Sequence, residues 1–201
     1  MPDNPAQLRG DFLPITGRNV GAIASASAGV VRAEEYGNAF FHQTLLLFTD
    51  CPVVTGNTTA ISFGSKQIYT FPTARILVHG VTAYFNKITF NTVAGATGDI
   101  AGGGSGDYSL GSTATADSTL GTTDVDLLPS SAMLDPFVAG VGSSNAGTAL
   151  AASAQFDGTA TALSAYLNVI IDDADVSDGA ANDNVYFTGW ARIAWAWLGD
   201  Y

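Results

Sequence analysis

Apolar side chains recur along this chain with a period of two, the spacing of an extended strand with one face buried. The pattern is longest near the end. From Leu163 to Ile171, the residues Leu163, Ala165, Leu167, Val169 and Ile171 fall on one side, and Ser164, Tyr166 and Asn168 on the other. Val185, Phe187, Ile193, Trp195 and Trp197 share a second apolar face, with Thr188, Arg192 and Ala196 opposite and Gly189 placed as a bulge or close-approach point. The two stretches read as one hairpin closed by the acidic connection at 172–184. That length is tolerable: loop closure costs only about 0.6 kcal/mol per doubling, against roughly 1.5–3 kcal/mol for each large apolar side chain buried.

Upstream, Ala39 to Val54 is largely apolar on both faces, with Phe41, Gln43, Leu45, Leu47 and Thr49 alternating against Phe40, His42, Leu46 and Phe48, as in a central strand. Pro52 is expected to mark its end. Short strands follow at Thr59 to Phe63 and Gln67 to Phe71. Arg75 to Phe90 reads as a strand pair, or one strand bulged at Gly80. Residues 91–126, rich in Gly, Ser, Thr and Asp, are expected to be a turn-rich insertion, and Leu127 to Met133 a loop leading into a short helix or turn. Ala149 to Phe156 is a further strand, and Asp157-Gly158 a turn. Short strands broken by turn signals, without alternating helices, predict an all-β fold. An antiparallel β-sandwich, jelly-roll-like, is the expected topology.

Residues 1–38 break this pattern. Small residues dominate them, and they are expected to form an extended N-terminal arm ahead of a sandwich domain at 39–201, with Phe12, Leu13, Ile15 and Tyr36 as anchors that order against a partner. On that reading, deleting the arm spares the domain.

Charge is unevenly placed. The chain carries 7 Lys and Arg against 18 Asp and Glu, a net charge of −11. Residues 1–87 are nearly balanced, whereas after Lys87 the one basic residue is Arg192. A region so acidic is a poor partner for nucleic acid. Cys51, the single cysteine, cannot form an intrachain disulfide. No run approaches the roughly 20 apolar residues of a membrane span, and the first residues lack a basic stretch followed by an apolar one. A soluble protein made in a cytoplasm, with no membrane partner, is expected.

Catalytic chemistry finds little footing. His42 and His79, the two histidines, both sit within apolar strand patterns, where a core or interface role is the commoner one. Gly103-Gly-Ser105-Gly-Asp107 misses the last glycine of a nucleophile elbow. Cys51 has no basic neighbour in sequence to activate it. Asp172, Asp173, Asp175, Asp178 and Asp183 offer hard oxygen ligands to Ca²⁺, but an EF-hand-like register starting at Asp173 needs glycine at 178 and glutamate at 184, where Asp178 and Asn184 stand. The expectation is no enzyme, no cofactor and no metal. Trp190 lies on the parity opposite to Trp195 and Trp197, and is the tryptophan placed to contact something else, a glycan being one option.

Three stretches carry a resemblance. Gly64-Ser-Lys-Gln-Ile-Tyr-Thr-Phe-Pro72 is one, and Ser109 to Leu120 with Asp126-Leu-Leu-Pro-Ser130 is another. Phe156-Asp-Gly-Thr-Ala160, running to Leu167-Asn-Val-Ile-Ile-Asp-Asp173 and Trp197-Leu-Gly-Asp-Tyr201, completes the set. Together they resemble β-rich structural proteins of tailed-bacteriophage virions, of the capsid decoration or cement type. The resemblance implies a protein made in the host cytoplasm that sits on the outer capsid surface, bound to the major capsid protein as a homo-oligomer. A trimer is expected, because trimers match local threefold lattice positions. The other readings are a glycan-binding, lectin-like module or a tail- or fibre-associated virion module.

Overall fold

A computed structural model describes residues 13–14, 20–38, 40–57, 61–91, 105–115, 118–133, 147–148, 155–172 and 183–199. These form twelve strands and two single 3-10 turns. The strands are β1 (Leu13–Pro14), β2 (Ala22–Ile23), β3 (Val31–Gly37), β4 (Phe41–Asn57), β5 (Ser62–Thr70) and β6 (Arg75–Asn91). They continue with β7 (Ser105–Gly111), β8 (Leu128–Met133), β9 (Gly147–Thr148), β10 (Gln155–Asp157), β11 (Ser164–Asp172) and β12 (Asp183–Gly199). All join one antiparallel sheet whose main path runs β10-β6-β12-β4-β5-β11-β7-β8.

The sheet curls because its three longest strands bend together. β4, β6 and β12 each run 17 residues, and their ladders slip along one line. Phe187 pairs with Cys51 but Gly189 with Phe48, while Thr188 pairs with Lys87 but Gly189 with Phe85. Asp50, with φ 42°, and Gly189, with φ 157°, supply the backbone of the bend. At Gly189 a Cβ would stand 2.2 Å from the Tyr84 carbonyl oxygen, so no larger residue fits. The bend brings β6 and β7, far apart along the path, face to face. Phe85 packs edge-on against Tyr108 at 5.1 Å and against Phe187 at 5.0 Å. On the other side of the bend, Trp195, Phe71, Tyr69 and His42 form a second buried aromatic cluster.

The curl opens a seam. β4 and β5 pair only near their connection, Thr55 to Asn57 against Ser62 to Gly64, and then diverge. The chain before β4 fills the gap: β2 pairs with Tyr69 and Thr70 of β5, and all seven residues of β3 pair with residues 42–48 of β4. This corrects the boundary expected at 38. Residues 22–23 and 31–37 belong to the sheet because two diverging strands leave main-chain donors and acceptors that need partners. Residues 1–12 and 15–19 lie outside the described residues.

Other expectations change as well. β11 and β12 are strands with Ala165, Leu167, Val169, Ile171, Val185, Phe187, Ile193 and Trp195 buried as expected, but Leu163 and Trp197 are half-buried and Asn168 and Ala196 on the opposite face are buried as well. Nor are they a hairpin: β11 lies between β5 and β7, and β12 between β4 and β6. Length explains it. Seventeen residues of β12 find full ladders on strands of equal length, whereas nine-residue β11 would leave half of them unpaired. Pro52 does not end β4, since it falls between the β3 ladder, ending at Phe48, and the β5 ladder, starting at Thr55. One edge there has no strand partner among the described residues, which is where a missing N–H is tolerated. The two short strands at 59–71 are one, β5. Arg75 to Asn91 is the single bulged strand, His79 being skipped between Val78 and Gly80 in the ladder with β12. Within the expected 91–126 insertion, β7 is a buried part of the sheet, and the predicted loop after Leu127 is its partner β8.

Candidate functional site

Strands β3, β4, β12 and β6 lie side by side and present two unlike faces. The inner face carries Val31, Leu46, Phe48, Val78, Ala83, Phe85, Ile193 and Trp195, all buried. The outer face follows from the register. One row across the strands is Arg32, Leu47, Trp190 and Tyr84, and the next is Glu34, Leu45, Arg192 and Thr82. Tyr36, Gln43, Ala194 and Gly80 come third, followed by Phe41, Ala196 and Leu77. An antiparallel sheet whose outer face meets only water usually alternates to polar residues there. Here the outward positions of β4 are Phe41, Gln43, Leu45 and Leu47, and Phe41 is 59% exposed beside Phe40 at 63%. Both faces of β4 are largely apolar, as its sequence pattern indicated.

Trp190 stands on this outer face, half-buried. Its ring lies 6.2 Å from that of Tyr84, nearly parallel, and the Arg192 guanidinium sits 5.5 Å from its centre. Among the described residues no carboxylate lies within ion-pair distance of Arg192, while Arg32 pairs with Glu34 in the next row. Tyr36 is half-buried on the same face and donates a hydrogen bond to Glu34 Oε2. Leu13 enters through its backbone, paired with Gly37 at the edge of β3. Phe12 and Ile15 lie outside the described residues. Of the five expected interface residues, the structure thus brings Tyr36 and Trp190 onto one face and Leu13 to its edge. Leu45, Leu47, Phe41 and Tyr84 were missed as members of this face. The apolar outward parity of β4 was the available signal, and the register that joins it to β6 was not.

The two histidines have unlike surroundings. His42 is buried and stacks on Trp195 at 4.0 Å, and His79 is exposed beside Phe41, ring centres 5.8 Å apart. Cys51 is fully buried, and that burial pushes its thiol up to about 11, so it stays protonated and unreactive at neutral pH. Residues 173–182 of the acidic connection lie outside the described residues. Among the described residues no three His, Cys, Asp or Glu side chains gather as metal ligands, and no helix is long and apolar enough to cross a membrane.

A second polar constellation lies inside, at the seam. The Trp195 indole Nε1 donates to Thr44 Oγ1 at 2.8 Å, and Thr44 Oγ1 donates to Glu35 Oε1 at 2.9 Å. The Tyr69 hydroxyl also donates to Glu35 Oε1 and accepts from the Gly21 N–H at 2.9 Å. Burial pushes the Glu35 carboxyl above its ordinary value, against the lowering effect of its two hydroxyl donors.

No family model, no curated protein and no solved structure matches this chain.

Proposed function

We infer that the chain is a structural protein of a tailed-bacteriophage virion, a capsid decoration (cement) protein. On this reading it binds the outside of the head lattice as a homo-oligomer, a trimer by preference, has no catalytic activity, and folds as a jelly-roll-like sandwich whose two layers are the halves of the curled sheet. The observation that carries it is the outer face of β3-β4-β12-β6. Leu45, Leu47, Phe41, Trp190 and Tyr84 lie on it, with Gln43 and Arg192 among them, an outer face richer in apolar side chains than one that meets only water and of the kind that protein contacts cover. The three sequence stretches described above supply the virion class.

The test pairs size with place. Light scattering of the purified chain at micromolar concentration should give a trimer, and Leu47→Asp, a charge in the middle of the face, should give a monomer with an unchanged circular dichroism spectrum. Immunogold labelling should find the chain on the heads of intact particles. A strict monomer that labels no particle overturns the reading.

A glycan-binding module is the second reading, favoured by the Tyr84–Trp190 pair, two half-exposed rings side by side with a guanidinium in reach. Specific binding on a glycan array that is lost in Trp190→Ala would establish it in place of the first.

A further inference from the structure

We propose that Glu35 is a pH-sensitive latch on residues 20–37, holding them in the seam between β4 and β5 while its carboxyl is protonated and loosening them when it ionises. The geometry carries this. Four elements converge on one carboxyl group: β3 bears it, Thr44 comes from β4, Tyr69 from β5, and the Gly21 N–H from the lead-in to β2, through Tyr69. Both hydroxyl bonds fall on Oε1. Oε2 is enclosed and has no hydrogen-bond partner among the described residues.

A carboxylate can accept about four hydrogen bonds, and a buried charge is tolerated when it is paired or fully bonded. Glu35 meets neither condition: no ion pair among the described residues involves it, and the nearest charges on its own strand, Arg32 and Glu34, point to the outer face and pair with each other. The neutral acid places no net charge in the seam, whereas the ionised form leaves half its charge on an unpartnered oxygen. The ionisable groups facing Glu35 from the packed elements are Tyr69, whose hydroxyl burial pushes far up, and His42 of β4, stacked on Trp195. β2 contributes Ala22 and Ile23, and β12 contributes Trp195, none of which ionises.

The sign follows. An acid whose folded value is raised contributes stability that is complete below the unfolded glutamate value, about 4.3, and is lost as pH rises through the folded value. The seam therefore tightens in acid and opens toward neutral and alkaline pH. Opening frees the edges of β4 and β5 that β3 and β2 otherwise occupy, which is the kind of surface a partner's strand can join.

Amide hydrogen exchange on the full chain tests it. Corrected for intrinsic rate, protection of residues 22–37 should fall steadily between pH 4 and pH 8, by a factor of ten for each unit that the folded Glu35 value is raised. In Glu35→Gln it should stay flat and match the parent at pH 4. The same fall in Glu35→Gln assigns the effect to His42 and overturns the proposal. If Glu35→Gln does not fold, ¹³C NMR of the Glu35 carboxyl in the unaltered chain decides: titration above the ordinary glutamate value supports the latch, and titration at or below it overturns it.

Discussion

Glu35 and Asp50 are both carboxylates that accept hydroxyl hydrogen bonds where the sheet departs from a regular ladder, yet their surroundings drive them in opposite directions. At the bend, Asp50 Oδ1 accepts from Lys87 Nζ at 2.9 Å and from Thr188 Oγ1 at 3.1 Å, and these partners hold its carboxyl below the usual aspartate value. At the seam, Glu35 has hydroxyl partners but no cation among the described residues, and burial holds it above the glutamate value. The bend is exposed and the seam enclosed. Water solvates the first and screens its ion pair, so the bend must be fixed mainly by backbone, whereas the seam depends on every bond in its network.

The largest expected effect breaks the seam outright. A chain beginning at Ala39 loses β2 and β3, stripping residues 42–48 of β4 and the Tyr69–Thr70 end of β5 of their neighbours and uncovering Leu46 and Phe48. It should lose cooperative thermal unfolding by circular dichroism. Sequence alone pointed the other way, to a dispensable arm. A truncated chain that melts like the full one would show that the seam holds nothing.

Next is the backbone of the bend. Gly189→Val places a Cβ 2.2 Å from the Tyr84 carbonyl oxygen at a positive φ. Overpacking and backbone strain each cost about 1–3 kcal/mol, and the midpoint of urea unfolding should fall accordingly. An unchanged midpoint would mean that the three long strands bend without this close approach.

Why the bend and not the seam was legible in the sequence is a matter of range. Gly189 interrupts a period-two pattern, so its bulge can be read from neighbouring residues, as can the buried parity of Val185, Phe187, Ile193 and Trp195. The role of Glu35 depends on Thr44, Tyr69 and Trp195, which the fold gathers from three other strands. In one dimension it stands beside Glu34, near Arg32, and reads as part of a solvated charged stretch. The same limit hid β7. Its Gly106 is small because a Cβ there would meet the Ile170 carbonyl oxygen at 2.7 Å, but glycine among serines and aspartates reads as a loop. For the outer face, the apolar parity of β4 was visible, and the neighbours that make it a surface were not.

A smaller effect comes from a middle member of the seam network. Thr44→Val keeps the shape but removes the acceptor of the Trp195 indole and a donor to Glu35. Leaving a buried N–H unpaired costs about 1–3 kcal/mol, measurable in urea at pH 7. The loss of a hydroxyl donor should also raise the Glu35 carboxyl further. If the midpoint does not move, the network is ornamental and the contrast with the bend collapses.

The smallest effect tests the bend's polar cluster. Asp50 has its value lowered, so its contribution is present above the ordinary aspartate range and is lost as pH falls through the folded value, below about pH 3.9. This is the reverse of Glu35, whose contribution is lost as pH rises. Lys87→Gln removes the cation and keeps the length of the side chain. Because both partners are exposed, it should shift the melting temperature only slightly at pH 7 and low salt, and not at all in 1 M salt. It should also flatten the acid limb of the stability profile below the ordinary aspartate value, while leaving untouched the opposite pH dependence that Glu35 gives the seam. A large loss of stability in Lys87→Gln that survives high salt would place the support of the bend in its ion pair rather than its backbone, and the distinction between the two regions would have to be drawn the other way.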